Sequence, residues 1–351
     1  MAHISAKDIA NQLGISTAAV SMALNGKPGV SVQTREKVIA AAMQQGYITP
    51  RAARNKQQLE PVISFVTYVG AGIAAHSSFS GQVLLGIEKE AKALGHRVVI
   101  HYLYENQPLD VQLATIANNT SGIVFLGTDV TAAQRDELIH MLQSTIDVPV
   151  VIVDNFLFSP HADCVGNDSA MGAKMAVDYL IGCGHRTIGY IRSKQRIANF
   201  DDRESGVHQA LHEHRELGLA PLQVIDVDIS SELAYQDICD WIANGNSPAS
   251  AYFAENDMLA ASAIRAFLQY GYAVPYDISI IGFDDVQICE MTRPSITTMH
   301  SFIENLGKVG VRQLHARILA GDTVSKAMQT GTQKIALSMT LKERESVRRM
   351  D

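Results

Sequence analysis

Several polar residues follow apolar, β-branched runs in the later part of the chain, where parallel strands would end. Asp154 follows the run VPVVIV, and Asp284 follows ISIIGF. Carboxylate and amide groups suit paired hydrogen bonds to neighbouring hydroxyl groups, and an arginine anchors a ring oxygen or an acidic group. The same residue types also cap helices, and Asp168 and Asp257 are interpreted as caps because each begins an apolar-periodic segment. A ligand site is favoured for the remaining set because its members fall at one end of the predicted sheets: Asp154, Arg203, Asn256, Asp284 and Asp285.

A glycine pattern raises the alternative of nucleotide binding. Gly70, Gly72 and Ala75 follow a predicted strand with the spacing GxGxxA, and Glu105 follows the next strand, as in a dinucleotide-binding fingerprint. The following helix, however, is predicted to begin only near Gln82. The acidic residue lies over thirty residues on, instead of about 20 in the fingerprint. We therefore expect no NAD site, no other cofactor, no catalytic residues and no enzyme activity.

Two further sets of residues could suggest metal binding or disulfides. Two of three neighbouring histidines share a helical face, but no third ligand follows on that face, so a solvated helix is the better interpretation. The cysteines lie far apart and match no metal or redox spacing, which predicts buried free thiols. These residues are His208, His212 and His214, and Cys164, Cys183, Cys239 and Cys289.

Length and composition indicate a large globular chain with an uneven charge distribution. It has 351 residues, of which 47% are hydrophobic and 19% charged, enough for two or three domains. No apolar run approaches the roughly 20 residues of a membrane span, and no secretory signal is visible, so we expect a cytoplasmic protein. The net charge is −7. Residues 1–60 hold seven Lys/Arg and three Asp/Glu, a net of +4, while the remainder holds 22 and 33, a net of −11. A basic end on an acidic body favours phosphate binding at that end.

The stretch Lys7–Leu24 has the pattern of a helix-turn-helix. Ser5 can cap a first helix, Gly14 suits a turn that needs a positive φ, and Ser16 can cap a second helix. The outward face of the second helix would be Thr17, Ala18, Ser21 and Met22. An ordinary helical hairpin is the alternative, because a helix, a glycine and a helix occur there too.

A third helix is predicted after a loop of glycine and proline. Ser31 can cap it, it runs through Gln45, and Gly46 ends it. Three such helices make a small DNA-binding headpiece of residues 1–48. The basic segment 49–60 has no apolar face and is predicted as a hinge or linker.

From Pro61 the chain alternates apolar strands and amphipathic helices, which predicts an α/β core of doubly wound parallel sheets in two lobes with a cleft at the strand carboxyl ends. We assign lobe one to about 61–154 plus 291–320 and lobe two to about 155–290. The strand region 330–345 has no clear lobe. Together they form a core of residues 61–351.

The first fifty residues resemble the headpiece of the lactose/galactose repressor family of bacterial transcription regulators. VS at Val20-Ser21, LNGK at Leu24–Lys27, VS..TREKV at Val30–Val38 and GY at Gly46-Tyr47 carry the resemblance. The body is similar to the family's core, which is like periplasmic sugar-binding proteins. Its landmarks are GIEKEAKALGH (Gly86–His96), SGIV (Ser121–Val124), LIGCGHRTIGYI (Leu180–Ile191), ENDMLAASAIRAF (Glu255–Phe267), VPYDISIIGFDD (Val274–Asp285), PSITT (Pro294–Thr298) and LKERES (Leu341–Ser346).

For the core, the resemblance implies a small-molecule effector between the lobes. Asp154 ends a strand where repressors of this family contact their effector, and Asn167 precedes the next helix at another such position. Ile229 stands where several sugar-binding members carry an aromatic ring, so this chain departs from them there. The implied effector residues are Phe79, Ser80, Asp154, Asn167, Arg203, Asn256 and Asp284.

For the headpiece, the resemblance implies that the second helix enters the major groove of operator DNA. Base contacts fall to Thr17, Ala18 and Met22. Many relatives carry arginine at the position of Met22, and a methionine offers only apolar contacts, for example to thymine methyls, so we expect an A·T-leaning half-site. Relatives also carry a leucine that wedges into the minor groove where this chain has Lys56, so we expect weaker bending. The remaining implied DNA contacts are Ser5, Ser16, Ser21, Asn25, Ser31, Thr34, Tyr47, Arg51, Arg54 and Lys56.

These features together predict an allosteric transcription regulator, most simply a repressor, that acts as a homodimer on double-stranded operator DNA. A carbohydrate or sugar derivative is the favoured effector, and no membrane partner is expected. The rival class is a solute-binding or sensory protein without DNA function, which the basic headpiece opposes.

Overall fold

The structure is a computed structural model and describes residues 6–24, 30, 31, 34, 37, 38, 41, 42, 61–69, 78–104, 106–128, 130, 132–156 and 161–350. The chain divides into two compact units, Met1–Glu60 and Pro61–Asp351. No helix among the described residues is long and apolar enough to cross a membrane.

The first unit begins with two short helices, α1 (Ala6–Leu13) and α2 (Thr17–Leu24). Gly14 between them has φ +64°, a value that L side chains rarely adopt. Ser16 caps α2, because its Oγ accepts the Ala19 N–H at 3.1 Å. The predicted helix, glycine turn and capped helix are therefore confirmed.

Several of the residues predicted to cap a helix or to contact DNA can be examined in this first unit, which is held together by a small core. Ser31 Oγ accepts the Thr34 N–H at 3.1 Å, as expected of a cap, and Thr34 is helical. Thr17, Ala18 and Ser21 are exposed, and Met22 is half-exposed. The predicted DNA contacts Ser5, Asn25, Tyr47, Arg51, Arg54 and Lys56 lie outside the described residues. The buried side chains of the core are Ile9, Ala10, Val20, Ala23, Val38, Ala41 and Ala42.

The second unit alternates strands and helices. Up to residue 167 its elements are β1 (Val62–Val69), α3 (Ser78–Ala93), β2 (Arg97–Tyr104), α4 (Leu109–Ala117), β3 (Gly122–Leu126), α5 (Ala132–Thr145), β4 (Val150–Val153) and β5 (Asp163–Asn167). From residue 169 they are α6 (Ser169–Gly182), β6 (Ile188–Ser193), α7 (Ala198–Glu213), β7 (Gln223–Val227), α8 (Ser231–Ala243), β8 (Ala251–Ala254), α9 (Asp257–Gln269), β9 (Ser279–Asp284), α10 (Ile288–Met291), β10 (Thr297–His300), α11 (Ile303–Leu319), α12 (Val324–Thr330), β11 (Lys334–Leu337) and β12 (Thr340–Lys342).

These strands form two sheets, one in each lobe. The lobe-one sheet has the order β11-β5-β4-β3-β1-β2, and all of its pairs are parallel. The lobe-two sheet has the order β12-β10-β9-β8-β6-β7 and is parallel except for the β10–β12 pair. Each sheet has an apolar cluster on both faces. In lobe one, α4 and α5 cover one face, and α3 and α11 cover the other. In lobe two, α8 and α9 cover one face, and α6 and α7 cover the other. The predicted fold class of two doubly wound lobes is confirmed.

The lobe boundaries differ from those predicted. Residues 155–167 were assigned to lobe two, but β5 pairs with β4 in the lobe-one sheet. The stretch around 297–300 was assigned to lobe one, but β10 pairs with β9 in lobe two. The region 330–345, predicted as one strand, splits: β11 joins lobe one and β12 joins lobe two. The chain therefore crosses between the lobes three times, after β5, after β10 and after β11.

Candidate functional site

A cavity of about 320 Å³ lies between the two lobes, at the carboxyl ends of their strands. Lobe one contributes the start of α3 and the residues that follow β3 and β4. Lobe two contributes the first turns of α7 and α9 and the residues that follow β7 and β9. Its lining is Ser78, Phe79, Ser80, Leu126, Thr128, Asp154, Ile197, Asn199, Phe200, Arg203, Ile229, Ser230, Asn256, Asp257, Met258, Asp284 and Val286. Six of the seven residues implied for the effector are among them.

Arg203 is the central polar side chain of the cavity and is only 4% exposed. It lies within α7, which begins at Ala198. One guanidinium nitrogen donates to the backbone oxygen of Glu255, and Nη2 donates to Asp284 Oδ1 at 3.2 Å. The guanidinium lies over the ring of Phe283 at 3.8 Å from its centroid. Its Nε–H is buried and has no hydrogen-bond partner among the residues that the structure describes, so an acceptor atom of a ligand could satisfy it.

Asp154 faces Arg203 from lobe one and is buried. Its φ is +63°, its Oδ2 accepts the Thr128 hydroxyl at 2.7 Å, and its backbone oxygen accepts the Asn199 amide at 3.1 Å. Burial, reinforced by the charge of Asp284, raises the pKa of Asp154 to about 7, against the opposing effects of Thr128 and Arg203. The carboxyl group can therefore accept or donate a hydrogen bond near neutral pH.

Both Asn256 and Asp257 line the cavity, but the structure assigns the helix cap to Asn256 and not to Asp257 as predicted. The cap of α9 is Asn256, whose Oδ1 accepts the Leu259 N–H at 2.8 Å. Asp257 is fully buried and accepts the Val286 N–H at 2.9 Å and the Thr298 hydroxyl at 2.6 Å. Burial, with the charge of Asp284, raises its pKa to about 7. Asp168, in contrast, is the predicted cap, since it accepts the Met171 N–H at 3.1 Å.

Asp284 ends β9 with φ +105° and accepts the Ser301 hydroxyl at 3.2 Å as well as the Arg203 guanidinium. Its neighbour Asp285 points elsewhere: its carboxylate contacts His300 at 2.8 Å and Arg344 at 2.7 Å. Asp285 is not among the lining residues, so only Asp284 of this pair belongs to the site.

Asn167 is the one implied effector residue that does not line the cavity. It is the last residue of β5 and is 5% exposed, and its Oδ1 has no partner among the described residues. Strand β5 belongs to lobe one, and not to lobe two as predicted. Asn167 therefore lies at the end of a strand that is separated from β3 by β4.

Sequence reasoning missed several lining residues, of which Thr128, Asn199 and Phe200 bear on the polar groups. Thr128 follows β3 and bonds Asp154. Asn199 and Phe200 lie in the first turn of α7, and Phe200 is buried beside Arg203, with the guanidinium 5.5 Å from its ring centroid. The signal that could have found them is their position shortly after a strand, β3 for Thr128 and β6 for Asn199 and Phe200.

The alternative sites receive no support from the described part of the chain. No group of three or more His, Cys, Asp or Glu that could hold a metal occurs among the described residues. His214 instead lies 3.0 Å from Asp178. All four cysteines are free; Cys239 is half-buried, and the other three are buried. The GxGxxA segment and Glu105 lie outside the described residues.

The electrostatics of the cavity favour a neutral ligand that carries hydroxyl groups. Arg203 is the single basic side chain among the described lining residues, and it is already paired with Asp284. Asp154 and Asp257 add two further carboxyl groups in the same enclosed space. Hydroxyl donors suit such acceptors, whereas a phosphate would meet repulsion from the carboxylates.

Comparisons with known proteins agree with this architecture. Residues 5–50 match the model described as bacterial regulatory proteins, lacI family, and residues 177–347 match the periplasmic binding protein-like domain. The chain is 26% identical over 317 residues to the HTH-type transcriptional repressor PurR of Photobacterium profundum, covering 89% of this chain and 91% of that protein. It is 27% identical over 313 residues to the ribose operon repressor of Haemophilus influenzae, with 89% and 91% covered.

Among solved structures, the chain resembles the Lac repressor dimer bound to operator and the anti-inducer ONPF. The TM-score is 0.70 at 22% identity, over 99% of this chain and 100% of that one. A helix-turn-helix unit followed by a two-lobed binding core defines the class of effector-controlled transcription regulators. The chain combines a helix-turn-helix domain of the lacI family of bacterial regulatory proteins with a periplasmic binding protein-like domain. It is a regulator of transcription and not an enzyme.

Proposed function

We propose that this protein is a repressor that binds operator DNA through its first unit and is controlled by a neutral carbohydrate bound between the lobes. The observation that carries the effector class is the buried Nε–H of Arg203, which lacks a partner among the described residues, in a cavity that Asp154 and Asp284 also line. A donor in a cavity with carboxyl acceptors matches a ring oxygen flanked by hydroxyl groups.

A neutral sugar fits better than a phosphorylated sugar. The positive charge of Arg203 is offset by Asp284 at 3.2 Å, so it offers little attraction to an additional anion. Asp154 and Asp257 would repel a phosphate group wherever they are ionised. The relative named as a ribose operon repressor is in keeping with a carbohydrate effector.

The DNA-binding part of the proposal rests on the face of α2. Thr17, Ala18 and Ser21 are exposed on that helix, and the first sixty residues have a net charge of +4 within an acidic chain. Such a helix enters the major groove in helix-turn-helix proteins, while the surrounding lysine and arginine side chains bind DNA phosphates. A solute-binding protein without DNA function would have no use for this unit. We place the protein in the cytoplasm, because the operator DNA that it would bind lies in that compartment.

A homodimer is supported by the outer edge of the lobe-one sheet. Strand β2 ends the sheet, and its side chains Val99, Ile100, Tyr102 and Tyr104 are 36–43% exposed. An exposed apolar edge strand is a liability unless something covers it. A second copy would cover it and would place two headpieces on the two half-sites of a palindrome.

Effector control would then act through the relative position of the lobes. A ligand between them favours whichever arrangement it contacts better, and it can change operator affinity only by that difference. A gel-shift titration of DNA from beside its own gene, with and without sugars, tests this. We expect a five- to 150-fold change in affinity with the effector, the usual range of such coupling. Binding that no sugar changes would contradict the proposal.

The effector class can be tested by thermal shift with matched sugars, sugar phosphates and nucleosides. We expect a neutral sugar to raise the unfolding temperature by a few degrees at saturating concentration, and Arg203→Ala to abolish the rise. Arg265→Ala is the control, because Arg265 pairs with Glu232 on the surface of lobe two. A larger shift with a sugar phosphate than with its parent sugar would contradict a neutral effector.

A further inference from the structure

The two lobes are joined across the cavity by one buried hydrogen bond. Asn199, in the first turn of α7 in lobe two, is 8% exposed and lines the cavity. Its Nδ2 donates to the backbone oxygen of Asp154 in lobe one at 3.1 Å. Because the two residues belong to different sheets, this bond exists only while the lobes are close together.

The acceptor side of this bond is rigid. The Asp154 N–H donates to Val165 O at 2.7 Å, which ties the residue to β5. Its φ of +63° turns the chain sharply after β4, and the next residue, Asn155, is anchored by its own amide to Gly127 O at 2.7 Å. The carbonyl that Asn199 contacts is therefore fixed to lobe one.

A second attraction between the lobes lies one turn along α7. Burial raises the pKa of Asp202, and the opposing influence comes first from Lys334 of β11, in lobe one. The start of α7 thus contacts lobe one through Asn199, and Asp202 lies within the electrostatic influence of Lys334 in the same lobe.

We propose that Asn199 is a latch that holds the lobes closed and that links closure to the effector site through Asp154. The carboxyl group of Asp154 lines the cavity, while its carbonyl oxygen holds the latch. A ligand that engages the carboxyl group acts on the same residue that the latch holds. Asn199 is in this sense a positioning residue for closure, and the link to an effector, though not closure itself, rests on the proposed function.

The latch can be tested without any effector, by the distance between spin labels on the two lobes of the full chain. The exposed residues Glu88 in α3 and His208 in α7 would be replaced with cysteine in a Cys239→Ser background. We expect Asn199→Ala to move the distance distribution towards longer values. The closed-to-open ratio should fall about fivefold, as for the loss of one neutral hydrogen bond.

Ser262→Ala is the control, since it removes a buried hydroxyl-to-carbonyl hydrogen bond, to Ser231 O at 2.9 Å, that lies within lobe two and away from the latch. It should lower stability without changing the distance between the lobes. Asn199→Asp is a second latch variant that keeps the side-chain shape but has no amide donor, and it serves if the alanine variant folds poorly. An unchanged distribution in both Asn199 variants, or equal opening by Ser262→Ala, would overturn the latch.

A sugar titration then tests the link to the effector. The sugar that most stabilises the wild-type protein should bind Asn199→Ala more weakly, by up to about fivefold, because binding must restore the lost closure. If no sugar binds the wild type, the proposed function fails while the distance measurement still decides the latch. Equal sugar affinity in an opened variant would overturn the link between latch and effector site.

Discussion

At the scale of single residues, the cavity concentrates carboxyl groups around one arginine. Asp154 and Asp257 are both buried, and burial raises the pKa of each to about 7. Each group accepts hydrogen bonds from neighbouring donors. The expected consequence is a stability that depends on pH in the neutral range.

The sign of this dependence follows from proton binding. Between about pH 4 and pH 7 an unfolded aspartate has lost its proton while the folded group keeps it, so stability falls as pH rises through this window. We expect Asp154→Asn to remove part of that fall. Relative to wild type, the variant should gain about 1–3 kcal/mol of unfolding free energy between pH 5 and pH 8.

Urea unfolding at the two pH values measures this difference. Asp240→Asn is the control, because that aspartate is exposed on α8 and should show a constant offset from wild type. A constant offset for Asp154→Asn as well would mean that its carboxyl group is ionised throughout the range.

At the scale of elements, lobe one depends on the close crossing of α3 and α11. A Cβ added at Gly86 would lie 1.9 Å from the Glu304 carbonyl oxygen, and one at Gly307 would lie 2.2 Å from the Val83 carbonyl oxygen. Neither backbone can move without separating the helices. The glycines are therefore needed at this crossing because they have no side chain.

We expect Gly86→Ala to destabilise the protein by about 3 kcal/mol, through overpacking against a backbone carbonyl. Gly81→Ala in the same helix is the control: nothing lies within 4 Å of its added Cβ, and alanine should stabilise that position by about 0.5–1 kcal/mol. Denaturant unfolding of both variants gives the comparison. Similar stabilities for the two would refute the crossing as the reason for the glycine.

Most strands of the core could be predicted from the sequence, but strand β5 could not. Apolar β-branched runs such as those of β3 and β4 are recognisable because both faces of a parallel strand are buried. Strand β5 was missed because its sequence DCVGN contains Asp163 and Gly166. Asp163 is tolerated there because Arg317 and Gln313 bind its carboxylate, and a distant helix cannot be inferred from a local pattern.

The candidate site was predictable at the strand ends and less so beyond them. Asp154, Asn256 and Asp284 follow apolar runs and line the cavity. Asn199 was missed because the polar sequence ANFDD gave no sign that α7 had begun. The cap of α9 was assigned to Asp257 and not to Asn256 because both residue types cap helices, and only the hydrogen bonds decide which of two neighbours does so.

At the scale of the whole molecule, the exposed edge of β2 leads to a prediction about assembly. We expect Tyr102→Asp to convert a dimer into a monomer, because a charge would be buried against the second copy. Leu233→Asp is the control, since Leu233 is 49% exposed on α8, in the other lobe. Light scattering after gel filtration reports the mass. A dimeric Tyr102→Asp protein would place the interface elsewhere.

The three crossings between the lobes also bear on how the protein is made. Lobe one is completed by α11 and β11, and lobe two by β12, all of which are synthesised last. On the ribosome, neither hydrophobic core can close while these segments are still unmade, although the small first unit has long since emerged. A nascent chain therefore carries a finished DNA-reading unit ahead of an unfinished sensor. Its window of exposure to chaperones and proteases lasts almost until synthesis ends.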